Sequence, residues 1–137
     1  MRVLLDTSIL IEGERRKFDL SKWVLEERHE VFICGATVTE YLAGRPLRDP
    51  GKVVRWQNYW DSFISILESV PLDIQVCETA GRLLAKAREA GKTVPLGDGL
   101  HGAVAELEDM IVATVDVEHF KALGVRCVNP LKSTHRP

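Results

Sequence analysis

The chain is poor in cysteine, and none of its cysteines forms a pair at ligand or redox spacing. Cys34, Cys77 and Cys127 are its three, odd in number, far apart and each in apolar surroundings. This excludes a disulfide framework, and buried, reduced thiols are expected, as suits a cytoplasmic protein. There is also no Cys/His set at zinc-ligand spacing. No apolar run approaches the ~20 residues a helix needs to cross a bilayer, and the first residues enter a strand pattern without the layout of a signal peptide. No membrane contact is expected. A dominant charge is absent too: 18 Lys and Arg against 20 Asp and Glu give a formal charge of -2. The chain as a whole is therefore no basic nucleic-acid binder, and any phosphate contact must come from a local patch. Internal repeats, low-complexity segments and linkers are missing as well.

What is present is a globular composition, 45% hydrophobic and 28% charged over 137 residues. That length suits one domain with a single sizeable core, expected over residues 1–131, with a flexible tail over 132–137. Short apolar runs and helical periodicities alternate. Val3–Leu5, Val31–Cys34, Ser69–Leu72, Met110–Val115 and Val125–Val128 read as strands. Between them lie helical patterns from Ser8 to about Arg15, after Asp19, from Thr37 to Gly44, from Lys52 to Glu68, after Asp73 to Gly91, after Asp98, and around His119 to Gly124. Alternation of this kind predicts an α/β fold, a three-layer α/β/α arrangement around a five-stranded parallel sheet. Trp56, Trp60, Phe63 and Leu67 form one helical stripe, read as packing on the sheet and a neighbouring helix, or as a groove for a partner helix.

Four acids attract attention. Asp6 and Asp116 each end a buried strand, while Glu40 and Asp98 stand at helix starts just beyond a strand or loop. Each has an ordinary explanation. Asp6 and Asp98 suit helix N-caps, Thr37 to Glu40 has the spacing of a capping box, and Asp116 can start a turn. Yet in a parallel α/β sheet the carboxyl ends of strands gather on one rim. If Asp6 and Asp116 follow adjacent central strands, their carboxylates converge. Clustered carboxylates repel, and a hard divalent cation with oxygen ligands neutralises them. Magnesium fits that description, and metal-assisted phosphodiester chemistry follows from it.

Leu4-Leu5-Asp6-Thr7-Ser8, Thr37-Val38-Thr39-Glu40, Pro95-Leu96-Gly97-Asp98 and the stretch Ala113 to Phe120 together resemble the PIN-domain ribonucleases, and most nearly the VapC-type toxins of toxin–antitoxin pairs. The likeness runs from Arg2 to about Pro130. It implies a Mg2+ or Mn2+ site and an endoribonuclease acting on single-stranded or structured RNA. It implies Asp6, Glu40, Asp98 and Asp116 as catalytic and metal-binding acids, with Asp6 and Asp98 as the most direct ligands. Thr7 and Thr114 would orient those carboxylates. Attack of metal-activated water would leave a 5′-phosphate and a 3′-hydroxyl. The implied partners are the RNA, a second copy of the chain and an antitoxin protein. The glycines of Gly99-Leu100-His101-Gly102 depart from the family pattern and are expected to allow close helix–sheet approach. His101 is read as a packed or interface residue, or one beside the metal or phosphate. His119 is read as structural.

Arg45 and Arg48, in the loop after the Glu40 helix, are the candidate RNA contacts, with Lys52 and Arg55 beyond them. A catalytically inactive PIN-like interaction module is the alternative function. A phosphoryl-transfer enzyme with Asp6 as nucleophile ranks lower, because the sequence lacks a second aspartate two residues on.

Overall fold

The computed structural model describes residues 1–133; of the tail expected over 132–137, residues 132 and 133 belong to the last helix and 134–137 lie outside the described residues. Five strands, β1 (Arg2–Leu5), β2 (Glu30–Cys34), β3 (Glu68–Val70), β4 (Ile111–Ala113) and β5 (Cys127–Val128), form one sheet in the order β3-β2-β1-β4-β5. All neighbouring pairs are parallel, and β1 lies between β2 and β4. The order reverses between β1 and β4, so the crevice where such sheets bind ligands opens at the carboxyl ends of these two strands.

Among the described residues seven α-helices connect the strands, α1 (Thr7–Glu14), α2 (Leu20–Glu26), α3 (Gly35–Ala43), α4 (Pro50–Ser62), α5 (Ile74–Glu89), α6 (Leu96–Leu107) and α7 (Val117–Ala122), and an eighth, α8 (Pro130–Ser133), follows β5. The pleat sorts the core into two layers, since successive side chains of a strand point to opposite faces. Val3, Leu5, Ile33 and Ala113 face one way and pack with Ile9, Leu10, Leu20, Trp23, Tyr41 and Trp56. Leu4, Phe32, Cys34 and Val112 face the other way, against Val76, Ala80, Val104 and Phe120. Helices therefore cover both faces, as the alternation of elements predicts.

Several local expectations need correcting. The helix expected through Glu68 ends at Ser62; a 3-10 turn over Ile64–Ile66 follows before β3. The indole and phenol rings of its stripe stack, with Tyr41–Trp56 and Trp56–Trp60 centroids 4.8 and 6.2 Å apart. The stripe packs on α3 and the core, with Trp56 buried and Trp60, Phe63 and Leu67 half-buried. Gly91 and Gly124 adopt the left-handed conformation at φ 79° and 73°, whereas Gly44 ends α3 at φ -89° and needs no such freedom. Cys34 is buried and Cys127 half-buried, but Cys77 is exposed on α5, against the expectation of three buried thiols. Among the described residues, no helix is long and apolar enough to cross a membrane.

Candidate metal centre

Three aspartates of this chain cap helices in the ordinary way. Asp19, Asp49 and Asp73 each accept a hydrogen bond from the backbone N–H three residues on, at 2.9–3.1 Å. Asp6 and Asp116 occupy the same N-cap position of α1 and α7, yet neither side chain caps. Asp98 is not a cap at all: Pro95 holds that position in α6, and Asp98 lies inside the first turn. The capping box expected at Glu40 does not form either, because α3 starts at Gly35 with Cys34 as its N-cap. All four carboxylates are thus withheld from helix capping and turned towards the rim at the β1–β4 switch point.

Asp6 is 3% exposed. Its backbone N–H donates to the Ala113 carbonyl, which carries the β1–β4 pairing one residue past the strands. One carboxylate oxygen, Oδ2, accepts hydrogen bonds from the Ser8 hydroxyl at 2.7 Å and the Thr114 hydroxyl at 2.8 Å. The other, Oδ1, lies 3.7 Å from His101 Nε2. Thr114 in turn accepts from the Asp116 N–H at 2.9 Å, and the Val115 N–H donates to Ser8 Oγ at 3.2 Å. Ser8 is a bridge between Asp6 and the end of β4. A hydroxyl that donates to a carboxylate and accepts from a backbone N–H fixes both rotamers together.

Asp98 is buried, and its Oδ2 meets His119 Nδ1 at 2.6 Å. Its carboxyl pKa is raised above the usual value, first by burial and then by the charge of Asp6; the bond and charge of His119, and His101, pull the other way. Ligand atoms of Asp98, Asp116 and His119 lie within 4.8 Å of one another, as do those of Asp6, Asp98 and His101. Asp98 belongs to both groups and links them. Asp98 shares one group with Asp6 and the other with Asp116, whereas Asp6 and Asp116, whose carboxylates were expected to converge, share neither.

Glu40, expected as the fourth acid of the set, belongs to neither group and lies beside them, against Thr7 and Gly97. Its Oε1 accepts from the Thr7 hydroxyl at 2.7 Å, and its Oε2 lies so close to Gly97 that a Cβ there would collide with it. Its carboxylate thus rests against the first turn of α6, a helix end that favours negative charge. Glu40 is solvent-exposed, unlike Asp6 and Asp98.

His101 is fully buried. Nδ1 bonds the Gly97 carbonyl and Nε2 the Thr37 hydroxyl, both at 2.7 Å. Burial works against its charged form, but the Cys34 sulfur, the Asp6 carboxylate and the Gly97 carbonyl outweigh it and raise its pKa to about 10. Ser8 and Thr37 hold places in this hydrogen-bonded cluster that the four motifs do not assign. Ser8 lies two residues from Asp6, a local signal, whereas Thr37 meets His101 only through the fold. His119, read as structural, holds an acid of the cluster.

Arg45 and Arg48 are exposed in the segment between α3 and α4. The pocket beside Glu40, about 130 Å³, is lined instead by Arg15, Lys52 and Arg55 together with Glu14, Tyr41 and Trp56. Arg55 Nε donates to the buried Glu14 carboxylate at 3.0 Å. Arg15 and Lys52 are the cations of this pocket that remain exposed.

The donor set suits a hard divalent cation: carboxylate oxygens predominate, and both histidines are engaged in hydrogen bonds. A profile described as PIN domain matches residues 3–125. A plasmid stability protein, StbB, of Pseudomonas syringae pv. tomato is 30% identical, over 93% of this chain and 97% of its own. The VapC ribonuclease Y4jK of Sinorhizobium fredii is 26% identical, over 93% and 96%. Among solved structures, FitAcB from Neisseria gonorrhoeae matches at TM-score 0.75 and 27% identity, over 93% of this chain and 97% of that one. VapBC2 from Rickettsia felis bound to a promoter DNA fragment matches at TM-score 0.79 and 20% identity, over 94% and 98%, a likeness of fold.

Proposed function

The chain belongs to the PIN-domain family, and from that premise we propose that it is a magnesium- or manganese-dependent endoribonuclease, the toxin of a toxin–antitoxin pair. The observation that carries this reading is the contrast among the aspartates. Asp19, Asp49 and Asp73 cap helices, whereas Asp6 and Asp116 hold cap positions without capping and converge with Asp98. Carboxylates gathered and withheld from backbone donors cost stability, and that cost makes sense if a cation occupies the space between them.

In this reading Asp6 and Asp98 hold the cation directly, and Asp116 and Glu40 complete the set, binding a second ion or an ordered water. When bound, the cation would neutralise charge at the phosphoryl group and activate water for in-line displacement. The chain's own residues do the orienting. Ser8 and Thr114 pin Asp6 Oδ2 and so aim Oδ1 into the site. His119 restrains Asp98, and Thr7 holds Glu40 at the exposed edge, where an RNA backbone can approach. Cleavage would leave a 5′-phosphate and a 3′-hydroxyl. The substrate is single-stranded or structured RNA, met by exposed cations around the Glu40 edge: Lys52 and Arg15 at the pocket, Arg45 and Arg48 in the adjoining loop.

The residues 1–131 form one domain in this reading. It acts in the cytoplasm as a homodimer held in check by an antitoxin protein. The two-component names of the similar structures, FitAB and VapBC, support such a partner. The test is a thermal melt with and without Mn2+ for the wild type and for Asp6→Asn and Asp98→Asn. A cation at ~100 times its dissociation constant adds about 2.7 kcal/mol to the wild type. Both variants should lose most of that gain. A wild type whose melt ignores millimolar Mn2+ has no such site.

A further inference from the structure

Distance alone makes His101 a candidate metal ligand, because its ring shares a group with Asp6 and Asp98 within 4.8 Å. The hydrogen bonds say otherwise. A carbonyl oxygen only accepts, so the 2.7 Å contact to Gly97 requires a proton on Nδ1. Nε2 is 2.7 Å from Thr37 Oγ1. In the neutral ring Nε2 accepts from the Thr37 hydroxyl. In the charged ring Nε2 donates to Thr37, whose own proton then turns to the Leu5 carbonyl at 3.5 Å. Both states use the same two contacts, and neither leaves a lone pair aimed at the carboxylates.

Those contacts belong to a larger figure. Thr37 Oγ1 lies 3.4 Å from Thr7 Oγ1, which donates to Glu40 Oε1 at 2.7 Å. The other Glu40 oxygen rests on Gly97, whose carbonyl is the one bonded by His101. Thr7 gives its one proton to Glu40, and Thr37 gives its own to Nε2 or to Leu5, so the Thr7–Thr37 and Glu40–Gly97 approaches are packing contacts. The hydrogen bonds run from Gly97 through His101 to Thr37 and from Thr7 to Glu40, and with those contacts they tie together α1, α3 and α6. Asp98 is the next residue after Gly97. We infer that His101 is a positioning residue and not a ligand: through Thr37 and the Gly97 carbonyl it locks the Asp98-bearing turn of α6 against α3, and so sets the spacing of Asp98 from Glu40 and Asp6. This rests on the metal-nuclease reading for its purpose, and on these contacts alone for its geometry.

The test combines Mn2+ calorimetry on wild type, Thr37→Val, His101→Gln, His101→Leu and the Thr37→Val/His101→Gln double variant with nitrogen NMR of the wild-type ring. Thr37→Val removes no candidate ligand, and it is expected to weaken Mn2+ binding roughly tenfold, as losses beside a ligand do. The double variant should bind no more weakly than the weaker single, because both act on one network. His101→Gln, which can still reach Thr37, should retain more binding than His101→Leu. In the wild type the Nε2 signal should show no one-bond coupling to 113Cd2+ bound in place of Mg2+, because only direct ligation produces that coupling. Wild-type Mn2+ affinity in Thr37→Val, or an Nε2 signal coupled to the metal, overturns the inference; the NMR arm decides it even if the variants fold poorly. A wild type that binds no Mn2+ would instead remove the nuclease reading. The carboxyl carbon signal of Asp98 in the metal-free protein then decides the geometry, displaced by Thr37→Val if the ring holds the turn and unmoved if it does not.

Discussion

At the scale of single residues, the decisive fact is that position in a helix and role of a side chain have come apart. Asp6 and Asp116 sit where an aspartate would cap, and their carboxylates do something else. Asp98 shows the energetic consequence. Burial, and then the Asp6 charge, raise its pKa, so the fold favours its protonated form. For an acid raised in this way, the stabilising contribution is full below the ordinary carboxylate range and is lost as pH rises through the raised value. At neutral pH, without metal, the ionised Asp98 therefore costs stability. Asp98→Asn keeps an acceptor for His119 and removes the charge. It is expected to raise the melting temperature of the metal-free protein at pH 7 by about 4 °C, or ~1 kcal/mol at this size, while abolishing metal-dependent cleavage. Calorimetric scanning in EDTA checks this, and a lower melting temperature would mean that the charge is not a burden. The acids themselves were legible in the sequence, because an apolar run that stops on an aspartate is a pattern of neighbours. Ser8, Thr37 and His119 were less so, because their partners across the fold, Thr114, Thr7, His101 and Asp98, lie 21 to 106 residues away.

At the scale of elements, α6 matters most, because it carries Gly97, Asp98, Gly99, His101 and Gly102 in its first turns. The two glycines at 99 and 102 were expected to bring a helix close to the sheet. The close approach is instead to side chains on other helices and the segment beyond α7. A Cβ at Gly99 would stand 2.6 Å from Leu84 of α5, and one at Gly102 would stand 2.9 Å from Leu123. Replacing a helical glycine with alanine ordinarily gains roughly 1 kcal/mol. Here overpacking opposes that gain by about 1–3 kcal/mol, so Gly99→Ala is expected to be neutral or destabilising. Chemical denaturation measures the difference, and a gain of the full helical propensity would show that α5 gives way. The same logic explains which boundaries the sequence revealed. Asp73 and Gly91 mark α5 by local chemistry, a side-chain cap and a left-handed residue. The break at Ser62 has no such mark: the stripe of Trp56, Trp60 and Phe63 continues in register, and only tertiary packing stops the helix.

At the scale of the whole molecule, strand order makes the site. Placing β1 beside β4 brings Asp6 and Asp116, 110 positions apart in sequence, to one rim, while α3 and α6 bring in Glu40 and Asp98. Alternating elements were enough to predict a parallel sheet, and a parallel sheet was enough to predict one rim for the acids. Which cations stand on that rim depended on how the loop after α3 folds, so Lys52 and Arg15 reach the pocket beside Glu40 where Arg45 and Arg48 drew attention first. With a formal charge of -2, the molecule has no general attraction for a polyanion, and the proposed RNA binding would rest on those few local cations. Lys52→Glu is expected to weaken RNA binding about equally across sequences and to lower the salt slope by about 1. A salt titration of binding to inactive Asp6→Asn protein reads both, and an unchanged slope would place the RNA elsewhere.

The acids at the end of β1 and the start of α6 are proposed to perform metal-dependent RNA cleavage. The most direct measurement is cleavage of a defined single-stranded RNA by the wild type and by Asp6→Asn, each with Mg2+ and with EDTA. Cleavage by the wild type with Mg2+ alone, lost in EDTA and lost in the variant, is the expected result. Equal cleavage by the two proteins, or cleavage that survives EDTA, would contradict the assignment of this site as the catalyst.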